Sequence, residues 1–214
     1  MERSRVRRSA GVVAVVTLLV VAGLVWWRWP DAQDPVAGSQ PAAPSPSPTP
    51  TAVHGPCTRP PARPFVPTSI RVAGTVQAVY AVPRTADGVM GVLAHTDKTD
   101  FATDQGGVEA GARHGRVLLN THTWPDGTAM GNRLLAHLHV GDMIILRGHR
   151  QVACYRVTSR EQVLASNGYP GWDRTTGRPQ TVIVVCSGTW LGPGDWTHRT
   201  LWFADRYFGG NEPA

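Results

Sequence analysis

Thr181-Val182-Ile183-Val184-Val185-Cys186-Ser187-Gly188 is the stretch on which the reading of this chain turns. β-branched side chains crowd the preceding turn of a helix but fit a pleated surface, so the run before Cys186 predicts a strand. Its continuous apolar character, bounded by Ser-Gly, is that of a strand buried in a core. The thiol then stands where a buried strand opens into a Gly-containing loop. There it is held rigidly and still meets solvent, which is the placement a nucleophile needs. The competing reading is a core cysteine, since free Cys is among the most buried residues.

Working outward, two other chemically able side chains flank predicted strands. His122 follows the apolar run Val117-Leu118-Leu119, and Arg199 opens Thr200-Leu201-Trp202-Phe203-Ala204. Similar short runs recur at Ile70 to Val82, Gly88 to Leu93, Arg116 to Asn120, Asp142 to Leu146 and Gln151 to Thr158, separated by Gly, Pro and Asp. That spacing predicts an all-β barrel or sandwich. Asn132 to His139 is the one short helical segment, capped by Asn132 and ended before Gly141. Residues 65–214, about 150 in number, suffice for one domain with a full core.

The chain before this domain divides by composition. Residues 1–9 carry Arg3, Arg5, Arg7 and Arg8, and no charge then follows from Ala10 to Trp27. About 18 apolar residues at ~1.5 Å each give on the order of 27 Å, close to a hydrocarbon core. Residues 10–29 are therefore expected to form a transmembrane anchor. The basic cluster puts the N-terminus in the cytoplasm, and Trp26, Trp27 and Trp29 lie at the far interface. The rest of the chain is then expected outside the cell. A cleaved signal peptide is the alternative, but no small-x-small pattern follows Trp27-Arg28-Trp29-Pro30. Residues 30–64 are rich in Pro, Ala, Ser and Thr, centred on Pro44-Ser45-Pro46-Ser47-Pro48-Thr49-Pro50. Too few apolar side chains are present to fold, so the segment reads as an extended spacer reaching up to ~100 Å.

Several function classes find no support. The formal net charge of +6 owes part of its value to the arginines around the anchor. No basic stripe with interleaved aromatics accompanies it, so no nucleic-acid partner is expected. His137-x-His139 with His122 or His149 lacks the spacing of a zinc site, and no CxxC or HxxxH pattern occurs. Asp97, Asp100 and Asp104 do not have EF-hand spacing and read as a solvated loop. No phosphate loop or dinucleotide fingerprint appears, and neither a metal nor a cofactor is expected.

The order His, Cys, Arg, with intervals 186 − 122 = 64 and 199 − 186 = 13, resembles that of the sortases, cysteine transpeptidases that attach proteins to the bacterial cell wall. Asn120-Thr121-His122-Thr123-Trp124-Pro125-Asp126-Gly127-Thr128-Ala129-Met130-Gly131-Asn132-Arg133-Leu134-Leu135 is most similar to the actinobacterial class F group. The resemblance spans roughly residues 65 to 208. It departs at Val185-Cys186, where the family usually has Thr-Cys, and so lacks a hydroxyl beside the thiol. It implies a closed eight-stranded β-barrel with one or two short helices. It also implies Cys186 as nucleophile, His122 as proton carrier and Arg199 as oxyanion or carbonyl donor. The implied partners are surface proteins bearing a Leu-Pro-X-Thr-Gly-like C-terminal sorting signal, and a peptidoglycan-precursor amine as acceptor. Residues that bind the signal are not assigned.

A nucleophile must stay reduced, and the chain has three cysteines. Cys57 and Cys154 are then candidates to pair with each other, two buried thiols being the alternative. Rival functions are a wall L,D-transpeptidase or other secreted cysteine peptidase, and a non-catalytic wall-facing barrel. The first normally has a compact His-Gly-Cys-x-Arg pattern, which Cys186-Ser187-Gly188 does not supply.

Overall fold

The computed structural model describes residues 57–209. Eight strands form a closed barrel: β1 Ser69–Val72, β2 Thr75–Val82, β3 Phe101–Asp104, β4 Arg116–Asn120, β5 Met143–Gly148, β6 Gln151–Leu164, β7 Gln180–Gly192 and β8 Asp195–Arg206. Around the barrel they run β1-β2-β3-β4-β7-β8-β6-β5 and close by pairing of β1 with β5. Two neighbouring pairs are parallel, β2 with β3 and β4 with β7. One helix, α1 Met130–His137, lies between β4 and β5.

The apolar run from Ile70 to Val82 is two strands rather than one. Ala73 and Gly74 both have positive φ, 47° and 74°, so the chain turns back on itself there. The expected strand Gly88 to Leu93 is instead irregular, and a strand not foreseen, β3, follows it. Met90 from this irregular stretch is buried against the outside of the barrel without strand pairing, while Val89 and Val92 are exposed. Asp104 ends β3 rather than lying in a solvated loop, and its side chain is buried against Arg84.

Helix α1 starts two residues before the Asn132 expected to cap it. Asn132 still satisfies the start of the helix, but from inside it: its Oδ1 accepts from the amides of Trp124 and Ala129. Leu134 and the following Leu138 face the barrel interior, and the indole N–H of Trp202 donates to the Leu138 carbonyl at 2.9 Å.

Strand β7 explains its own composition. Ile183 and Val185 belong to the cluster that fills the barrel, with Ile70, Phe101, Leu119, Tyr155 and Trp202. Val182 and Val184 point the other way, into a second cluster with Leu118, Leu201, Phe203 and Met90 on the outer face. Both faces of the strand are covered, so no polar residue alternates with the apolar ones. By the same alternation Cys186 belongs to the outer face.

The segment 57–64, read from composition as the end of a spacer, is fastened to the barrel. Cys57 and Cys154 form a disulfide with Cα atoms 5.6 Å apart, the Ala62 amide donates to Gln151 at 2.9 Å, and Phe65 bridges Ala110. The Gly209 amide donates to the Cys57 carbonyl, so both ends of the described chain meet at this bridge. Among the described residues no helix is long and apolar enough to cross a membrane. The expected anchor 10–29 and nearly all of the spacer lie outside them.

Candidate active site

Strands β4, β7 and β8 are neighbours, and their registers bring the three candidate residues into one row. Arg116 faces Gln180 and Asn120 faces Val184, an offset of 64 residues. The ladder ends there, and His122 follows two residues beyond it, in a segment held next to β7 by the Thr123 hydroxyl, which donates to the Cys186 carbonyl at 2.7 Å. On the other side, Cys186 is the direct antiparallel partner of Arg199. Directly opposite residues share a face with Cβ atoms about 4.5–5.5 Å apart. The interval of 64 is therefore the register of a parallel pair, and that of 13 is the span of a hairpin.

Cys186 does not end a strand, as its sequence suggested. Strand β7 runs on to Gly192 and pairs with β8 through two register shifts, between Ser187 and Trp190 and between Trp190 and Gly192. Gly188 sits in the first of these with φ 79°, where a Cβ would meet the Thr197 and His198 side chains. The bulge is what opens the sheet next to the thiol. Cys186 itself is half-buried, while Ser187 beside it is enclosed and bonded to Gln162 and Thr200.

Arg199 lies on β8, an inner strand between β7 and β6 of the closed barrel. Its Nη1 donates to the carbonyls of Trp196 at 3.2 Å and His198 at 2.9 Å. Those bonds hold the guanidinium in place. Among the described residues, Nε and Nη2 take no hydrogen-bond partner, leaving donors for an incoming oxygen.

His122 is oriented by backbone. Its Nε2 lies 3.0 Å from the Leu93 carbonyl, and a carbonyl only accepts, so Nε2 carries the proton and Nδ1 is the basic nitrogen of the neutral ring. Asn120 holds the same loop, donating from Nδ2 to the Gly91 carbonyl at 2.8 Å. The Thr123 hydroxyl donates to the Cys186 carbonyl at 2.7 Å and ties the histidine segment to β7. The Gly131 amide donates to the His122 carbonyl at 2.8 Å; a Cβ there would collide with that carbonyl and with Thr123. A side chain at Gly131 would therefore displace the histidine segment. Thr123 and Asn120 flank His122 within the motif already quoted, whereas nothing in the sequence marked the Leu93 carbonyl.

Beside His122, the His95 ring stands edge-on at 5.8 Å between centroids and stacks on Trp124 at 4.9 Å. Lys98 lies 4.1 Å from the Trp124 ring centroid and pairs with Asp126 at 2.8 Å. Hydrogen bonds from Lys98, then from the Thr128 amide and hydroxyl, lower the Asp126 carboxyl to about 2. Of the other described histidines, His198 is next to the row, as the partner of Ser187 with its Nδ1 2.8 Å from the Thr197 hydroxyl, whereas His139 pairs with Asp142 and His149 has positive φ in the β5–β6 turn. No group of three or more His, Cys, Asp or Glu among the described residues could hold a metal ion. A cavity of about 890 Å³ lies between Pro60–Pro64 and Gly106–His114 and includes none of the three row residues.

Burial pushes the Cys186 thiol above its ordinary pKa; Arg199 opposes this and Asp195 adds to it. Taking charge out of water disfavours the thiolate, and one partly committed guanidinium does not overcome that cost. The rate of Cys186 alkylation by iodoacetamide should therefore rise with pH through a midpoint above that of an unburied thiol. In Arg199→Gln the midpoint should move higher still. A wild-type midpoint below the ordinary value would mean that the thiolate is stabilised by a partner absent from this account.

The barrel has the sortase fold. Similar solved structures include sortase A of Listeria monocytogenes, 17% identical with TM-score 0.50 over 66% of this chain and 87% of that one. A complex of Streptococcus agalactiae sortase C1 and MTSET matches at 13% identity and TM-score 0.51, over 69% of this chain and 72% of that one. Sortase A from Corynebacterium diphtheriae matches at 17% identity and TM-score 0.50, over 68% and 62% respectively. No protein-family model matches the sequence. No curated protein matches it either.

Proposed function

We propose that this chain is a membrane-anchored cysteine transpeptidase of the sortase type, acting on the extracellular side of the cell membrane. Its substrates are surface proteins with a Leu-Pro-X-Thr-Gly-like C-terminal sorting signal. The observation that carries the reading is that Cys186 on β7 is paired with Arg199 on β8 and flanked by the His122 segment just past β4, in a sortase-fold barrel. The stretch from Asn120 to Leu135 favours the class F group within that fold. The basic start of the chain and the uncharged run after it support the anchor.

In this mechanism the Cys186 thiolate attacks the threonine carbonyl carbon of the signal. Arg199 donates to the oxygen as it gains charge. The intermediate collapses with cleavage of the Thr–Gly C–N bond, and protonated His122 gives its proton to the leaving amine. The acyl group is left as a thioester on Cys186. A peptidoglycan-precursor amine then attacks that carbonyl, His122 takes a proton from it, and the thiolate leaves. Water in place of the amine gives hydrolysis by the same steps.

Incubating the domain from residue 55 onward with five-residue signal peptides and an amine tests this reading. Cleavage between Thr and Gly, with a product carrying the amine, is expected; no cleavage of any Leu-Pro-X-Thr-Gly-like peptide would contradict it. Arg199→Lys keeps the charge but loses the planar fork. Turnover should then fall by about 10²–10³, with a smaller change in KM. Turnover near wild type in that variant would make Arg199 structural.

A further inference from the structure

The outer-face cluster continues directly into the row of candidate residues. Val182, Val184 and Cys186 alternate along β7, and Phe203, Leu201 and Arg199 along β8. Two connections cover this apolar strip. Residues 83–100, between β2 and β3, contribute Met90 and Leu93; residues 165–179, between β6 and β7, contribute Tyr169 and Trp172. The Tyr169 ring lies 5.3 Å from that of Phe203.

Both connections meet at Arg84. Its Nε and Nη2 donate to the Asp104 carboxylate, with Nη2 at 2.6 Å from Oδ2. Only 4% of the Asp104 side chain is exposed. Arg84 Nη1 donates to the Gly88 carbonyl of its own connection at 3.0 Å and to Asp173 of the other at 3.4 Å. Arg116 seats the second connection independently, through its amide to the Arg174 carbonyl and Nη1 to the Gly171 carbonyl at 2.6 Å. A cavity of about 370 Å³ lies beside these groups, lined in part by Arg84, Asp104, Arg116, Leu118, Asp173 and Thr175.

We infer that the Arg84–Asp173 ion pair is a latch joining the two connections over the apolar strip, and that it positions them to bind the acyl-donor peptide. Arg84 is fixed at its root by a buried carboxylate and held at its tip by an exposed one. The Asp104 end therefore serves the fold and the Asp173 end is free to open. Asp173 is 40% exposed, so its bond to Arg84 is weak and screened by salt. Asp173 acts on the reaction only through the connection it holds and is a positioning residue. Its substrate rests on the transpeptidase reading above.

Asp173→Asn removes the charge with no change in size and leaves the Arg84–Asp104 pair intact. At low salt it should raise KM for the signal peptide about two- to fivefold, with a much smaller effect on kcat. Asp173→Glu should restore most of the affinity. In wild type, about 1 M salt, where screening acts over ~3 Å, should raise KM similarly, and the Asn variant should respond less. Amide hydrogen exchange within 165–179 should be faster in Asp173→Asn than in wild type. Unchanged KM and exchange in that variant would overturn the latch. If wild type cleaves no signal peptide, the transpeptidase reading fails, while the exchange comparison still decides whether the latch exists.

Discussion

Cys186→Ala is expected to lower cleavage and amine exchange by about 10⁴ or more, because covalent catalysis has no second nucleophile at this row to fall back on. The fold should survive. The thiol is half-buried on the outer face, and the residues beneath it, Val185 and Ser187, point into the barrel and are untouched. Losing one sulfur there should cost about 1 kcal/mol or less, a shift of a few degrees in the thermal midpoint. Activity and melting measured on the same preparation separate the two effects. A folded variant retaining turnover within a few-fold of wild type would place the nucleophile elsewhere.

Cys154→Ser is expected to produce a large loss of stability while sparing the site. The bridge closes a loop with a sequence separation of 97 residues. In the chain-entropy model, cross-linking a loop of that length stabilises by about 4–5 kcal/mol, by restricting the unfolded chain. The bridge also fixes the 57–64 segment and the Gly209 end to β6, so loss of the bond should free both termini of the domain. Denaturant midpoints of wild type, Cys154→Ser and the Cys57→Ser, Cys154→Ser double variant measure the effect. The two variants should agree with each other and lie well below wild type. A difference from wild type under 1 kcal/mol, or about that, would mean that the bridge adds little beyond the packing of Cys57 on Ile145.

How much of this was legible in the sequence depends on the range of the interaction involved. β4 appears with the bounds expected from Arg116 to Asn120, a run that begins directly after Gly115, whose φ of 78° no strand residue adopts. The central strands were found but drawn short. Ser159 to Leu164 of β6 and Ser187 to Gly192 of β7 are polar or irregular, and they are strands only because β8 lies alongside to pair with them. Gly88 to Leu93 shows the opposite error: Met90 and Leu93 pack on the outer face without a ladder, while Val89 and Val92 are exposed, so the apolar run marks no strand. β3 escaped because Phe101-Ala102-Thr103-Asp104 is too short and mixed to show a period.

The row of three residues was legible as types and intervals, but the reason for the intervals was not. That 64 is a parallel register and 13 a hairpin span emerges only once β4, β7 and β8 are neighbours. The polar contacts that shape the site are likewise long-range. Leu93 lies 29 residues from His122, and Thr123 lies 63 from Cys186. A backbone carbonyl leaves no mark in residue identity, so no sequence pattern announces the group that fixes the histidine tautomer.

Intact-mass measurement of the domain after brief incubation with a signal peptide, in the absence of an acceptor amine, tests the central claim most directly. The account predicts an adduct equal in mass to the peptide up to its threonine, less one water. The adduct should be mapped by proteolysis to Cys186, discharged by added amine and absent in Cys186→Ala. Cleavage that proceeds without any adduct on Cys186, or an adduct that forms equally in Cys186→Ala, would contradict it.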